Sequence, residues 1–220
     1  SRTASSWREG ESSAPPSQPR ADFPGTAPPP ASPMPEDSNP DAMLVALRHD
    51  RSMMRFCSDE LLQCPEFAKR VLAMDPTLLE CFHETLRQNA DLVLSAIESY
   101  HCAFMGASPK LHADNDFLLK AVKANAFVLS YIAPEQQTEE MIAAAISEEG
   151  CIVRYASKKL LDKKQNALRY LKMHDDVYRF LGFELRSDPE VADAAIEKDG
   201  SNIEYASDAL RDDKALVMKA

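Results

Sequence analysis

The chain has 220 residues, 45% of them hydrophobic and 27% charged, and 35 acidic side chains against 25 basic ones leave a net charge of −10. That balance disfavours nonspecific attachment to nucleic acid, whose phosphates are held by an excess of lysine and arginine. No apolar run approaches the length of a membrane span, the six glycines form no phosphate-cradling loop and no G-x-S-x-G, and the chain holds no H-E-x-x-H.

Residues 1–38 hold nine prolines and, apart from Trp7, Phe23 and Met34, almost no large apolar side chain. Such a stretch buries too little surface to offset the entropy lost on ordering, and it is expected to be a disordered tail. Within it Pro28-Pro29-Pro30-Ala31-Ser32-Pro33 contains P-x-x-P. No arginine or lysine stands beside that cluster to orient it on a proline-binding module, so it reads as a spacer.

From Asn39 onward the chain repeats. Ala46, Val71, Ala96, Ala121, Ala145, Tyr170, Ala195 and Ala220 follow one another at intervals of 25, 25, 25, 24, 25, 25 and 25 residues. The units begin near Asn39, Cys64, Asn89, Asp114, Thr138, Lys163, Asp188 and Asp213, the last of them truncated. Unit position 9 reads Leu47, Leu72, Ile97, Val122, Ile146, Leu171 and Ile196, and position 16 reads Met54, Leu79, Phe104, Leu129, Val153, Tyr178 and Ile203. Position 23 reads Leu61, Leu86, Leu111, Leu160, Leu185 and Leu210, with Gln136 in the unit that is one residue short. At this composition a column of seven apolar residues arises by chance about 0.4% of the time, and several such columns coincide, so the period is real.

Within a unit the apolar residues fall at positions 4, 5, 8 and 9, as in Leu92, Val93, Ala96 and Ile97, which is one stripe of a helix. This first helix, about ten residues long, is expected to start where Asn39, Asn89, Asp114, Thr138, Asp188 and Asp213 can accept free backbone amides, a pattern that Lys163 breaks. It is expected to stop near Glu149-Gly150 and Asp199-Gly200, with glycine taking a left-handed conformation. A short second helix follows. Ser58, Ser108, Ser157 or Ser207 at position 20, with Pro109 and Pro134 at position 21, marks a break and a new capped turn.

The blocks Tyr155-Ala156-Ser157, Tyr205-Ala206-Ser207 and Phe56-Cys57-Ser58 are each followed by two polar residues and Leu160, Leu210 or Leu61. They resemble the repeat family called domain of unknown function 4116, from about Asn39 to the C-terminus, most clearly in the units holding Ile146 to Leu161 and Ile196 to Asp212. The units at Cys64 and Lys163 depart from the motif, with Phe82-His83 and Leu181-Gly182 in its place. The resemblance implies a helical repeat protein without an assigned activity, and it transfers no functional residue.

Cys57, Cys64, Cys81, Cys102 and Cys151 form no C-x-x-C and are odd in number. Reduced, partly buried thiols in an intracellular, reducing compartment are expected. Cys81 with His83, and Cys102 beside His101, lie too close in sequence to converge on one metal or to act as a nucleophile and base, so neither metal nor cofactor is expected. The aromatic column Phe56, Tyr131, Tyr155, Phe180 and Tyr205 is expected to be a core seam between units, with the phenol oxygens reaching its edge.

One local asymmetry remains. Between 154 and 172 seven basic residues face Asp162 alone as an acid, whereas 184–213 is strongly acidic. The block reads first as a solvated face partly neutralised by the next unit; the alternative is an acidic or phosphate-bearing partner, and a partner surface in this stretch is expected to include Lys158, Lys159, Lys163 and Lys164, at the capped turn and the junction to the next unit. The chain opens on serine and stops inside the first helix of an eighth unit, so it is expected to be a fragment whose targeting signals lie elsewhere. The predicted fold is all-α, an α-solenoid of about seven 25-residue helix-turn-helix repeats over 39–220. The predicted role is a noncatalytic protein-binding or scaffolding module, not an enzyme, with a protein or peptide partner and no nucleic acid or membrane span. The alternatives are a structural subunit of a larger assembly, or an adaptor attached to a catalytic domain outside this stretch.

Overall fold

The structure, a computed structural model, describes residues 39–220. The expected disordered tail 1–38 and its proline cluster lie outside the described residues. From Pro40 the chain is helical, with no strand among the described residues, and no helix is long and apolar enough to cross a membrane.

Each unit opens with a helix, and these leading helices are Pro40–His49, Pro65–Leu72, Ala90–Ser99, Asn115–Ala124, Glu139–Glu148, Lys164–Met173 and Pro189–Lys198. Their starts follow from side-chain chemistry. Asn39, Asn89, Asp114, Thr138 and Asp188 accept amides of the first turn, whereas Cys64 and Lys163 make no such bond. The stripe at positions 4, 5, 8 and 9 faces inward, as Leu92, Val93, Ala96 and Ile97 show.

The helices end where expected, but not by the expected device. Gly150 and Gly200 have no left-handed φ; the turn is made one residue earlier by Glu149 and Asp199 in extended backbone. The same extended residue recurs at Asp50, Tyr100, Asn125 and His174, so glycine is not what stops these helices. Glycine is needed for space instead. A Cβ on Gly150 would run into the His174 imidazole of the next unit, and one on Gly106 would sit 2.8 Å from the Glu80 backbone nitrogen of the preceding unit.

The second element is a six-residue 3₁₀ segment in all seven units, from Arg51–Phe56 to Gly200–Tyr205. Asp50, Asp75, Asn125, His174 and Asp199 cap it by accepting the amide two residues on. At three residues per turn, positions 16 and 19 fall on one face. Both are buried in unit after unit, as Leu79 with Phe82, Phe104 with Ala107 and Leu129 with Ile132. A four-residue helix closes most units, as in Asp59–Leu62, Pro109–His112 and Asp208–Arg211, and turns its position-23 leucine inward. In the fifth unit the inward residue is Leu161, with Leu160 only partly buried.

Leading helices pack on those of neighbouring units and 3₁₀ segments on 3₁₀ segments, around one continuous apolar core. Packing is looser between Pro65–Leu72, two residues shorter than the other leading helices, and Ala90–Ser99, where a cleft of about 370 Å³ opens.

Tyr170 and Tyr178 are fully buried in this core, and burial pushes both phenols up to about 12. An unfolded tyrosine ionises near pH 10, so the stability they contribute is complete below about pH 10 and is lost as pH rises toward 12. Circular dichroism against pH should therefore show alkaline unfolding beginning near pH 10. Tyr178→Phe and Tyr170→Phe should each flatten that loss, even though the first also removes the hydroxyl bond to the Arg186 carbonyl at 2.8 Å and the second the bond to the Glu139 carbonyl at 3.3 Å.

Candidate functional site

A polar seam joins consecutive units along one edge. The amide at position 20 donates to the carbonyl at position 24 of the unit before: His83 to Leu62 at 3.1 Å, Ser108 to Arg87 at 3.0 Å, and Ser207 to Arg186 at 3.4 Å. In return, the side chain at position 24 reaches the carbonyl at position 18 of the next unit, Arg87 to Gly106 at 2.7 Å and Arg186 to Tyr205 at 3.0 Å. Arginine suits this task because its fork of donors spans the gap between layers.

The fourth unit is one residue short, and here side chains replace backbone. Gln136 donates to the His112 carbonyl at 3.3 Å on the side of the preceding unit. On the other side Gln137, which is buried, accepts the Ser157 amide at 2.7 Å and donates to the carbonyls of Ile132 and Tyr155, both at 3.0 Å. The primary amide offers an acceptor and two donors at one point, which is what the missing residue removed.

Two open grooves lie on this edge at equivalent positions two units apart. The first, about 760 Å³, lies between the fourth and fifth units with Pro134, Tyr155 and Leu160 in its walls and Arg154, Lys158, Lys159 and Lys163 around it. The second, about 660 Å³, lies between the sixth and seventh, where Phe183 stands in place of Pro134 and Asp208 in place of Lys158. Between them the Asp162 carboxylate lies over Gly182, leaving only 2.9 Å to where a Cβ would stand.

The four lysines divide into two pairs. Lys163 pairs with Glu139 of its neighbouring unit at 2.8 Å, and Lys164 with Asp188 and Glu190, both at 2.8 Å. The hydrogen bond from Lys163 holds the Glu139 carboxyl below its usual range, the one from Lys164 does the same to Asp188, and Lys164 itself is raised by Asp188 and Glu190. Lys158 and Lys159 open a four-residue helix, are exposed, and enter no ion pair among the described residues.

The aromatic column lies further out than expected, with its two phenylalanines packed against the core and its tyrosines at the edge. Tyr131, Tyr155 and Tyr205 are 36%, 43% and 36% exposed, and Phe56 and Phe180 are partly buried. Position 18 lies two-thirds of a 3₁₀ turn from position 16, so it flanks the core instead of entering it. Arg154 fills the gap between two rungs, 5.8 Å from the Tyr155 ring and 5.9 Å from that of Phe180. Further along, the Cys102 thiol lies 3.1 Å from the Tyr131 hydroxyl, a bond that, with burial, pushes the phenol up to about 12. His101 stacks on Tyr131, and the His83 ring bonds Thr85, not Cys81. Among the described residues no three His, Cys, Asp or Glu gather as a metal would need, and the five cysteines are free.

Sequence reasoning missed Gln137 and Phe183. Gln137 coincided with the one interval of 24, and Phe183 occupies a position that is charged or proline in the other units, so each carried a signal of irregularity.

Two stretches, 89–137 and 188–220, match the family model of the domain of unknown function (DUF4116). The second contains Tyr205-Ala206-Ser207; the Tyr155-Ala156-Ser157 unit lies between the two stretches. Comparison with curated proteins and with solved structures returns no match.

Proposed function

We propose that residues 39–220 form an α-solenoid that acts as a noncatalytic docking module, with the groove at Lys158 and Lys159 as the seat for an acidic segment of a partner protein. The observation that supports this most directly is the division of the lysines. Lys163 and Lys164 are used between units, whereas Lys158 and Lys159 are exposed beside an open groove with apolar walls. A repeat array buries each unit against its neighbours and leaves equivalent edge positions for recognition, so a change of residue at one edge position creates a local site without disturbing the fold.

An acidic peptide should bind with an affinity that falls steeply with salt, because exposed charges are screened beyond about 8 Å at physiological ionic strength. Lys158→Gln with Lys159→Gln should abolish that binding and leave the melting midpoint unchanged. Lys163→Gln with Lys164→Gln should weaken it less and lower the midpoint slightly, as loss of exposed pairs does. Binding that ignores both the first pair of substitutions and the salt concentration would leave the block a solvated face.

A second reading rests on Tyr100 and Phe127, exposed and packed on His101 beside Tyr131, and on Met105, exposed on the same 3₁₀ segment as His101. A structural subunit would cover such a patch permanently, and a stable dimer or complex on gel filtration, lost on Met105→Glu, would favour it.

A further inference from the structure

The two grooves differ in a way that selects a two-part ligand. They occupy the same register, positions 18 to 24, and so lie along the same edge. The first is ringed by Lys158, Lys159 and Lys163. The second has no lysine in its lining but does have Arg186; Phe183, 69% exposed, lines it together with Tyr205 and Leu210, and Asp208 at its rim is paired with Arg211. The first groove sets Arg154, Lys158, Lys159 and Lys163 against Glu135 and attracts acidic groups, whereas the second, with Arg186 and an Asp208 already paired with Arg211, carries less charge and offers Phe183 to an apolar side chain. The space between is taken by Asp162 against Gly182, so one compact ligand does not fill both grooves.

We infer that the partner is an extended peptide segment in which an acidic cluster and a large apolar residue are separated by about five or six residues, the cluster seated at Lys158 and Lys159 and the apolar residue against Phe183. The spacing follows from geometry. Neighbouring helix layers lie about 8 to 10 Å apart, so grooves two layers apart are about 16 to 20 Å apart. An extended chain covers that distance in about five or six residues at about 3.3 Å each. Joining two weak contacts on one chain makes the second intramolecular, which raises affinity only when the linker matches the span. This inference rests on the acidic-groove reading above and adds the second anchor and its distance.

The test uses the full chain and fluorescein-labelled synthetic peptides read by anisotropy. One set joins three glutamates to a phenylalanine through five Gly/Ser residues, in both chain directions. The controls are the acidic half alone, the apolar half alone, and linkers of two residues. At least one direction of the joined peptide should bind about tenfold tighter than the acidic half, the gain expected from burying one large apolar side chain. Shortening the linker should erase the gain. Phe183→Ser, on a side chain exposed enough to leave the fold intact by circular dichroism, should reduce the joined peptide to the affinity of the acidic half and leave that half unaffected. If the acidic half binds as tightly as the joined peptide, and does so through Lys158 and Lys159, the second anchor is wrong and the acidic groove stands. If no peptide binds, or binding ignores Lys158→Gln with Lys159→Gln, both ideas fall.

Discussion

Gln137→Ala should lower the unfolding free energy by about 2 to 4 kcal/mol, the largest effect of any single polar substitution in the array. The buried Ser157 amide would lose its acceptor, and the Ile132 and Tyr155 carbonyls their donor. Leaving one buried polar group unpaired costs about 1 to 3 kcal/mol, and here several are left at once. Gln137→Glu separates the two halves of the bond set, since a carboxylate still accepts from Ser157 but cannot donate to the carbonyls. Its midpoint in urea should fall further at pH 8 than at pH 4, where the protonated acid regains a donor. A midpoint for the alanine variant within about 0.5 kcal/mol of the parent would mean that water replaces the amide at this joint.

Ala121→Leu should cost about 1 to 3 kcal/mol. Ala121 is fully buried on the helix Asn115–Ala124, which packs against both Ala90–Ser99 and Glu139–Glu148. A recurring small residue at this position lets helices approach closely. Three added carbons have nowhere to go without pushing side chains off their rotamers or moving a helix. Thermal unfolding measures this directly, and an unchanged midpoint would place the column in contact with solvent. Ala46 makes a useful control: it holds the same position in the first unit but is only partly buried, so Ala46→Leu should be much milder.

What was legible in the sequence was whatever repeats. The column Leu47, Leu72, Ile97, Val122, Ile146, Leu171 and Ile196 is buried throughout, because a face that packs on its own copies selects the same residue type each time. The capped starts at Asn39, Asn89, Asp114, Thr138 and Asp188 were legible because a side-chain acceptor must stand at one place relative to the helix. The nature of the second element was not. Six residues span too few turns for a period of 3.0 to be told from one of 3.6, so how far the tighter turn carries the tyrosines toward the edge is not legible in the column. Glycine was read through its backbone freedom, whereas Gly106 and Gly150 are explained by the neighbouring unit that presses on them, which no single unit reveals. For the candidate site, the lysine run was visible, but its division into paired Lys163 and Lys164 and unpaired Lys158 and Lys159 depends on which acids the next layers supply.

The shortened fourth unit also gives the molecule a place to come apart. At three joints of the seam the main chain of one layer is tied to that of the next by His83, Ser108 and Ser207, the joint at Gly182 has no such bond among the described residues, and at the fourth unit both ties run through the glutamine amides Gln136 and Gln137. A side-chain tie is released by rotating a few torsions, without first unwinding a helix. Under slow opening or mechanical load, the joint near 133–137 should then yield before those at His83, Ser108 and Ser207, and deuterium should enter at Ser157 before it enters at Ser108 or Ser207. One missing residue would then set the order in which these joints open.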